Sequence, residues 1–252
     1  MSSAAIVTGK MRALANKKLA TAQQGFYQTQ PGGYGAGDKF LGITVPRSRQ
    51  VAKEFKELPL SEIKRLSTSP FHEIRFVALA MLVNQFKAAK DQRVRKRLYE
   101  TYISMVKGGG VVNNWDLVDA TAPYLGEYLI NQPGQVKTLM KLARNKDLWV
   151  QRVAIILTFA LIRAGNNKPT LILAKEFLNH PHDLIHKATG WMLREAGKRD
   201  LVALRGFLKK HVHQMPRTML RYSIEQLPKA ERKRWLLDSK KQQNVFSYAI
   251  NY

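Results

Sequence analysis

Apolar residues return along this chain at intervals of three and four, and period-two runs framed by hairpin turns do not appear. The pattern predicts helices over 10–25, 46–57, 60–67, 71–87, 90–106, 114–130, 133–144, 147–164, 169–179, 182–197, 200–211, 215–227 and 229–236. Prolines punctuate it. Pro46, Pro59, Pro70, Pro133, Pro169, Pro181, Pro216 and Pro228 stand at or just before proposed starts, where a missing N–H costs least. The Gly32–Gly37 and Gly108–Gly110 stretches are loops. Residues 1–9 read as a frayed lead and 239–252 as an irregular tail, which leaves 10–238 as a single domain.

A repeat runs through these helices. Arg75, Arg152, Lys187 and Arg221 hold similar places in theirs, at gaps of 77, 35 and 34, and Trp115 divides the long gap into 40 and 37. A period of roughly 35–40 residues with two helices per unit predicts an all-α fold, an α-solenoid of about six HEAT-like repeats whose second helices line a concave face. An irregular helical bundle with coincidental spacing is the alternative.

Charge then names the kind of partner. The 252 residues carry 42 Lys and Arg against 18 Asp and Glu, a net charge of +24, while 45% are hydrophobic. That is enough for a sizeable core and too much for a disordered polycation. Such an imbalance points to a polyanion, nucleic acid before an acidic membrane surface. No apolar run approaches the roughly 20 residues that a membrane span needs. Cysteine is absent, so no disulfide framework, thiolate metal site or Cys nucleophile exists, and a reducing intracellular compartment fits.

One column of the repeat holds Arg75, Trp115, Arg152, Lys187 and Arg221. Four residues on, along the same helix faces, come Leu79, Asp119, Ile156, Trp191 and Glu225. A wall with a cation from most repeats can follow a phosphate backbone. Two indoles and one carboxylate interrupt it. Trp115 and Asp119 lie one turn apart in Asn113-Asn114-Trp115-Asp116-Leu117-Val118-Asp119, whereas Asp116 points elsewhere and caps or pairs locally. On these residues alone, Trp115 is a packing residue or a ligand face. Asp119 is a structural partner for Arg152 or a working carboxylate.

Several blocks carry a resemblance. Trp115-Asp116-Leu117-Val118-Asp119, Leu148-Trp149-Val150-Gln151-Arg152 and Lys187-Ala188-Thr189-Gly190-Trp191-Met192-Leu193-Arg194-Glu195 resemble the DNA alkylation repair glycosylases built on HEAT-like repeats, the AlkD type. Tyr34-Gly35-Ala36-Gly37-Asp38-Lys39-Phe40-Leu41-Gly42-Ile43, followed by Pro46 and Arg49, resembles their N-terminal signature. The likeness runs from about residue 10 to 235, with the blocks in the family's order. It implies a catalytic Asp119, attended by Trp115, Trp191 and Arg152. The family's N-terminal aromatic falls on Tyr34 once one residue is gapped.

The implied activity is a monofunctional glycosylase that excises cationic N3- and N7-alkylpurines (3-methyladenine, 7-methylguanine) from double-stranded DNA in base excision repair. Methylation at those positions makes the base cationic and a good leaving group. Its departure develops positive charge at C1′, which a fixed carboxylate stabilises as it forms. The same group can position the attacking water. Indole faces attract cations by roughly 0.5–2 kcal/mol. Arg152 would hold a phosphate and favour an ionised Asp119. The likeness also implies that the lesion can stay stacked, where most base-acting enzymes extrude it.

Arg75, Lys187, His186, Arg194 and Arg221 join Tyr34 as expected DNA contacts. No cofactor and no metal is called for: His182-Asp183-Leu184-Ile185-His186 mimics a zinc pair, but Asp replaces Glu and no third ligand is evident. Gly33-Tyr34-Gly35-Ala36-Gly37 fails the nucleotide-loop pattern and serves as a connector, or as a mobile loop carrying Tyr34 towards the site. Residues 201–252 hold eleven basic and three acidic side chains, and Arg232-Lys233-Arg234 either grips phosphate or forms a solvated helix face. The partner expected is alkylated duplex DNA rather than a membrane. The chain is expected to be a monomer in the cytoplasm, associated with a bacterial nucleoid or otherwise intracellular. A non-catalytic HEAT-repeat DNA-binding protein and a protein-binding HEAT scaffold are the competing readings.

Overall fold

Residues expected to form one helix over 10–25 form two. In the computed structural model, which describes residues 3–249 and their side chains to 239, α1 (Ala4–Ala13) and α2 (Lys17–Phe26) part at Asn16. The Asn16 side chain caps α2 by accepting from the Leu19 N–H at 3.0 Å. Its own N–H donates to the Leu41 carbonyl at 2.8 Å. Gly42 passes so close that a Cβ there would lie 2.0 Å from the Asn16 carbonyl oxygen, and its φ of +79° suits glycine alone. The expected frayed lead is corrected as well. Ser3 caps α1, and Ala4, Val7 and Met11 are buried, so burial holds these residues in a helix.

The helices gather into two compact units that divide between Tyr128 and Leu129. The first unit continues with α3 (Val45–Glu54), α4 (Leu60–Ser67), α5 (His72–Ala88), α6 (Gln92–Lys107), α7 (Trp115–Asp119) and α8 (Ala122–Leu125). A 3-10 turn, Gly126–Leu129, spans the division. Apolar residues cover most of the circumference of α5, so it is the core helix, packed against α3, α4, α6, α7 and α8. The single helix expected over 114–130 is broken because Pro123 has no N–H to donate. The Thr121 hydroxyl, 2.6 Å from the Leu117 carbonyl, fills the gap.

The second unit comprises α9 (Gln135–Ala143), α10 (Leu148–Arg163), α11 (Lys168–Glu176), α12 (Asp183–Arg199), α13 (Leu201–His211), α14 (Arg217–Ser223) and α15 (Lys229–Ala249). Here the packing has the order of a repeat. Helices α10, α12 and α14 touch in succession, and each packs with the helix before it or its neighbour in a second row. Arg152, Lys187 and Arg221, the residues that set the period, lie on those successive helices. Gly190 lets α12 approach α14: a Cβ there would lie 2.5 Å from both the Met219 carbonyl oxygen and the Tyr222 Cβ. Helix α15 runs on to Ala249, where an irregular tail was expected. The part of that tail after Ala249 lies outside the described residues.

The fold is therefore all-α and of the solenoid kind, with no strand among the described residues. No described helix is long and apolar enough to cross a membrane.

Candidate functional site

Helix α7 is one turn and a half of chain, too short to hold itself in water. Its neighbours hold it. Leu117 and Val118 are fully buried, and the Asn114 side chain accepts from the Trp115 N–H at 2.9 Å. Asp116 turns inward and Trp115 and Asp119 remain half-buried. The two acids of this helix thus have different surroundings.

Asp116 belongs to a buried chain of charges. His72, at the start of α5, places Nε2 2.8 Å from Asp116 Oδ2 and Nδ1 3.2 Å from Asp38 Oδ2. Tyr27 donates its hydroxyl to the same Asp116 oxygen at 3.2 Å. With a carboxylate at each ring nitrogen, both nitrogens donate and the imidazole is held as a cation. Burial pulls the His72 pKa down, but the bonds to Asp116 and Asp38 outweigh it and raise it to about 9. Burial likewise pushes the Asp38 carboxyl up, while His72, Arg75 and Asn113 more than reverse the effect and hold it below its ordinary value.

Arg75 is part of this interior, which corrects its expected place on a DNA-facing column. It is 3% exposed. Its guanidinium donates to Asp38 at 2.7 Å, to the Asn113 side chain at 2.9 Å and to the Ser69 carbonyl at 3.0 Å. The repeat spacing located the residue, but α5 is apolar nearly all round, and a cation on its buried face seeks internal acids. Next to it, Glu73 accepts from the N–H groups of Leu41, Gly42 and Ile43, which pins the segment following the glycine loop.

Above the charges lies an aromatic stack. Trp115 stacks on Tyr27 with ring centroids 5.6 Å apart, and Tyr27 stacks on Phe40 at 5.1 Å. Phe26 meets Trp115 edge-on at 5.8 Å. The glycine loop brings Tyr34 to this stack: the Trp115 indole N–H donates to the Tyr34 hydroxyl at 3.2 Å. Gly35 allows it, since a Cβ there would lie 2.4 Å from the Tyr27 carbonyl oxygen. So the structure brings together Tyr34 and Trp115, two residues far apart in sequence, with Asp119 on the same short helix.

The chain matches the family model of the DNA alkylation repair enzymes over residues 7–227. It belongs to that family. None of the curated proteins matches the chain. Among solved structures it is similar to a protein from Enterococcus faecalis described as a predicted DNA alkylation repair enzyme. The TM-score is 0.68 at 20% identity, over 85% of this chain and 97% of that one, a likeness of fold. Within the family match lie α7, the charge chain beneath it and most of the second unit, whereas α15 begins two residues after the match ends.

In the second unit of this alkylation repair family member, Arg152 is 4% exposed, and its guanidinium donates to the Leu184 carbonyl at 2.5 Å. Trp191 is half-buried, its indole 5.9 Å from the Phe159 ring. Lys187 pairs with Asp183 at 2.8 Å. Arg194 pairs with Glu195 at 3.3 Å and with Glu225. Arg221 is exposed. The histidines serve the start of α12: His182 Nδ1 accepts from the Leu184 N–H at 3.1 Å, and His186 Nε2 donates to the His180 carbonyl. Burial pulls the pKa values of His180 and His182 down, assisted at both by His186 and opposed at His182 by Asp183.

Sequence reasoning missed Asp38, His72, Asn113 and Tyr27. The signal was available in His72-Glu73 and Arg75, three ionisable residues that lead directly into the apolar run Phe76–Val83. Charges there must find partners inside the fold.

Proposed function

We propose that this DNA alkylation repair enzyme is a monofunctional glycosylase that releases N3- and N7-alkylated purines from double-stranded DNA by hydrolysis. The observation that carries the reading is the placement of Asp119: it lies half-buried one turn along α7 from Trp115, whose indole is stacked on Tyr27 and bonded to Tyr34. A carboxylate at the edge of a rigid aromatic surface suits a sugar that acquires positive charge.

In the proposed reaction the bond between C1′ and the purine nitrogen breaks with its electron pair going to the base. The base was cationic and leaves neutral. Positive charge then develops on the deoxyribose, and the Asp119 carboxylate stabilises it. Water adds at C1′ and yields its proton to Asp119 or to solvent, leaving an abasic site. Trp115 packs on the sugar and attracts its charge, at roughly 0.5–2 kcal/mol. Its orientation is held by Tyr27 and by the bond to Tyr34. Trp191 takes the second indole role that the family likeness implies, and Lys187, His186, Arg194 and Arg221 contact the DNA. Arg152, buried like Arg75, braces the start of α12 through the Leu184 carbonyl instead of holding a phosphate.

Incubation of the full chain with duplex DNA carrying 7-methylguanine, followed by mass analysis of the supernatant, tests the proposal. Free 7-methylguanine is the expected product. Tight duplex binding without any released base would leave a binding protein in place of an enzyme.

A further inference from the structure

Some cations of the second unit are paired with acids. Arg144 pairs with Glu176, Lys198 with Glu195 and Arg205 with Glu231. One groove of about 770 Å³, between α12, α14 and the start of α15, gathers cations that are not so paired. Its walls carry Arg217 and Arg221 from α14 and Lys229, Arg232 and Lys233 from α15. None of these five makes an ion pair with a described residue. The groove's one acid, Glu225, is engaged by Arg194.

The sequence of α15 explains the arrangement. Lys229, Arg232, Lys233 and Leu236 recur at three and four, so they share one helix face. The other face is anchored. Trp235 is buried and donates its indole N–H to Glu231 at 3.3 Å, and Glu231 takes both hydrogen bonds of Arg205 on α13, at 2.8 and 2.9 Å. The cationic stripe is therefore held towards the groove on a rigid element. Between the cations stand Tyr222 and Leu237, 38% and 53% exposed, which offer apolar surface to a ligand that is not purely ionic.

We infer that this groove is a binding site for the phosphodiester backbone of undamaged duplex DNA flanking the lesion, supplied in large part by α15. Like charges crowded without internal counterions repel one another, and a polyanion removes that cost while releasing its own counterions. Neighbouring cations on the stripe stand about 5–6 Å apart. A strand of successive phosphates meets several of them at once, as a single phosphate does not. Tyr222 and Leu237 pack against the sugars between phosphates. Arg217, Arg221 and Tyr222 lie within the family match, and α15 begins after that match ends at residue 227. The inference rests on the DNA substrate proposed above but uses none of the residues assigned to base release.

The test is binding of the full chain to an undamaged fluorescent duplex, followed by anisotropy across a salt series. The chain is compared with a triple variant, Lys229→Gln, Arg232→Gln and Lys233→Gln. Three lost phosphate contacts should reduce the slope of log affinity against log salt by about 2.7, and affinity near 0.1 M salt by at least about tenfold. A control variant neutralises Lys53, Lys56 and Arg97, three exposed cations of the first unit, with the same loss of charge. An unchanged slope in the first variant overturns the site, as does an equal fall in both. Selective loss of binding to phosphatidylglycerol vesicles, with the DNA slope intact, would overturn it too. If the DNA slope is unchanged while methylated DNA still loses its base, the groove fails and the glycosylase stands. No duplex binding and no base release by the parent chain would remove both.

Discussion

The imidazole of His72 bridges Asp38 and Asp116, and its bond to Asp116, 2.8 Å from nitrogen to oxygen, ties the core helix α5 to the short helix α7. The pair is buried on both sides. Helix α7 carries Trp115 and Asp119, so this ion pair sets the position of the residues proposed to meet DNA.

The bond has a signature in pH. His72 has a pKa of about 9 in the fold against 6.5 ordinarily, so it stabilises the fold while it is charged. That contribution is complete below about 6.5 and is lost as pH rises through about 9. Its size is on the order of 3 kcal/mol. Urea unfolding at intervals from pH 6 to 10 should show stability falling across that window, with a flatter curve for His72→Gln. An identical pH profile in the two proteins would contradict the assignment. Asp38 acts in the opposite sense: its lowered pKa adds stability above 3.8 that is lost as pH falls below it.

Asp116→Ala should destabilise the protein by about 3–5 kcal/mol, because it leaves the His72 charge buried with one acid in place of two. Thermal unfolding at neutral pH reads the effect. A melting temperature within a degree of the parent's would show that the charge chain does not hold α7.

Gly190→Ala places a methyl group 2.5 Å from the Met219 carbonyl oxygen, against backbone that cannot swing aside. The α12–α14 contact must open, at a cost of about 1–3 kcal/mol. Denaturant midpoints measure it, and an unaltered midpoint would mean that these helices part freely.

Tyr34→Phe removes the acceptor for the Trp115 indole N–H and keeps the ring. A lost hydrogen bond of about 0.5–1.5 kcal/mol should slow base release by up to about tenfold with little change in folding stability. Single-turnover release separates the two. A rate equal to the parent's would leave Tyr34 without a part in orienting the indole.

Helix periods, proline starts and the succession of α10, α12 and α14 were legible in the sequence because they depend on local pattern. That Asp116 turns away from Trp115 was legible too, since neighbours on a helix face different ways, but its partners, expected to be local, are the distant His72 and Tyr27. What escaped was set by partners distant in sequence. Arg75 fitted the repeat spacing as well as Arg221 did, and only the fold shows that Asp38 draws the first inside while the second stays exposed. His72 gave no local sign of its two carboxylates, which arrive from a loop and from α7. The extent of α15 was hidden for another reason: its polar end lacks the apolar rhythm by which the other helices were found.

The most direct test of the whole account is single-turnover release of 7-methylguanine by Asp119→Asn. The substitution keeps the shape of the side chain and removes its charge, so duplex affinity should be retained. Release should slow by about a hundredfold to a thousandfold, the scale of losing one preorganised electrostatic contact to a transition state. Release at the parent's rate would contradict the account at its centre.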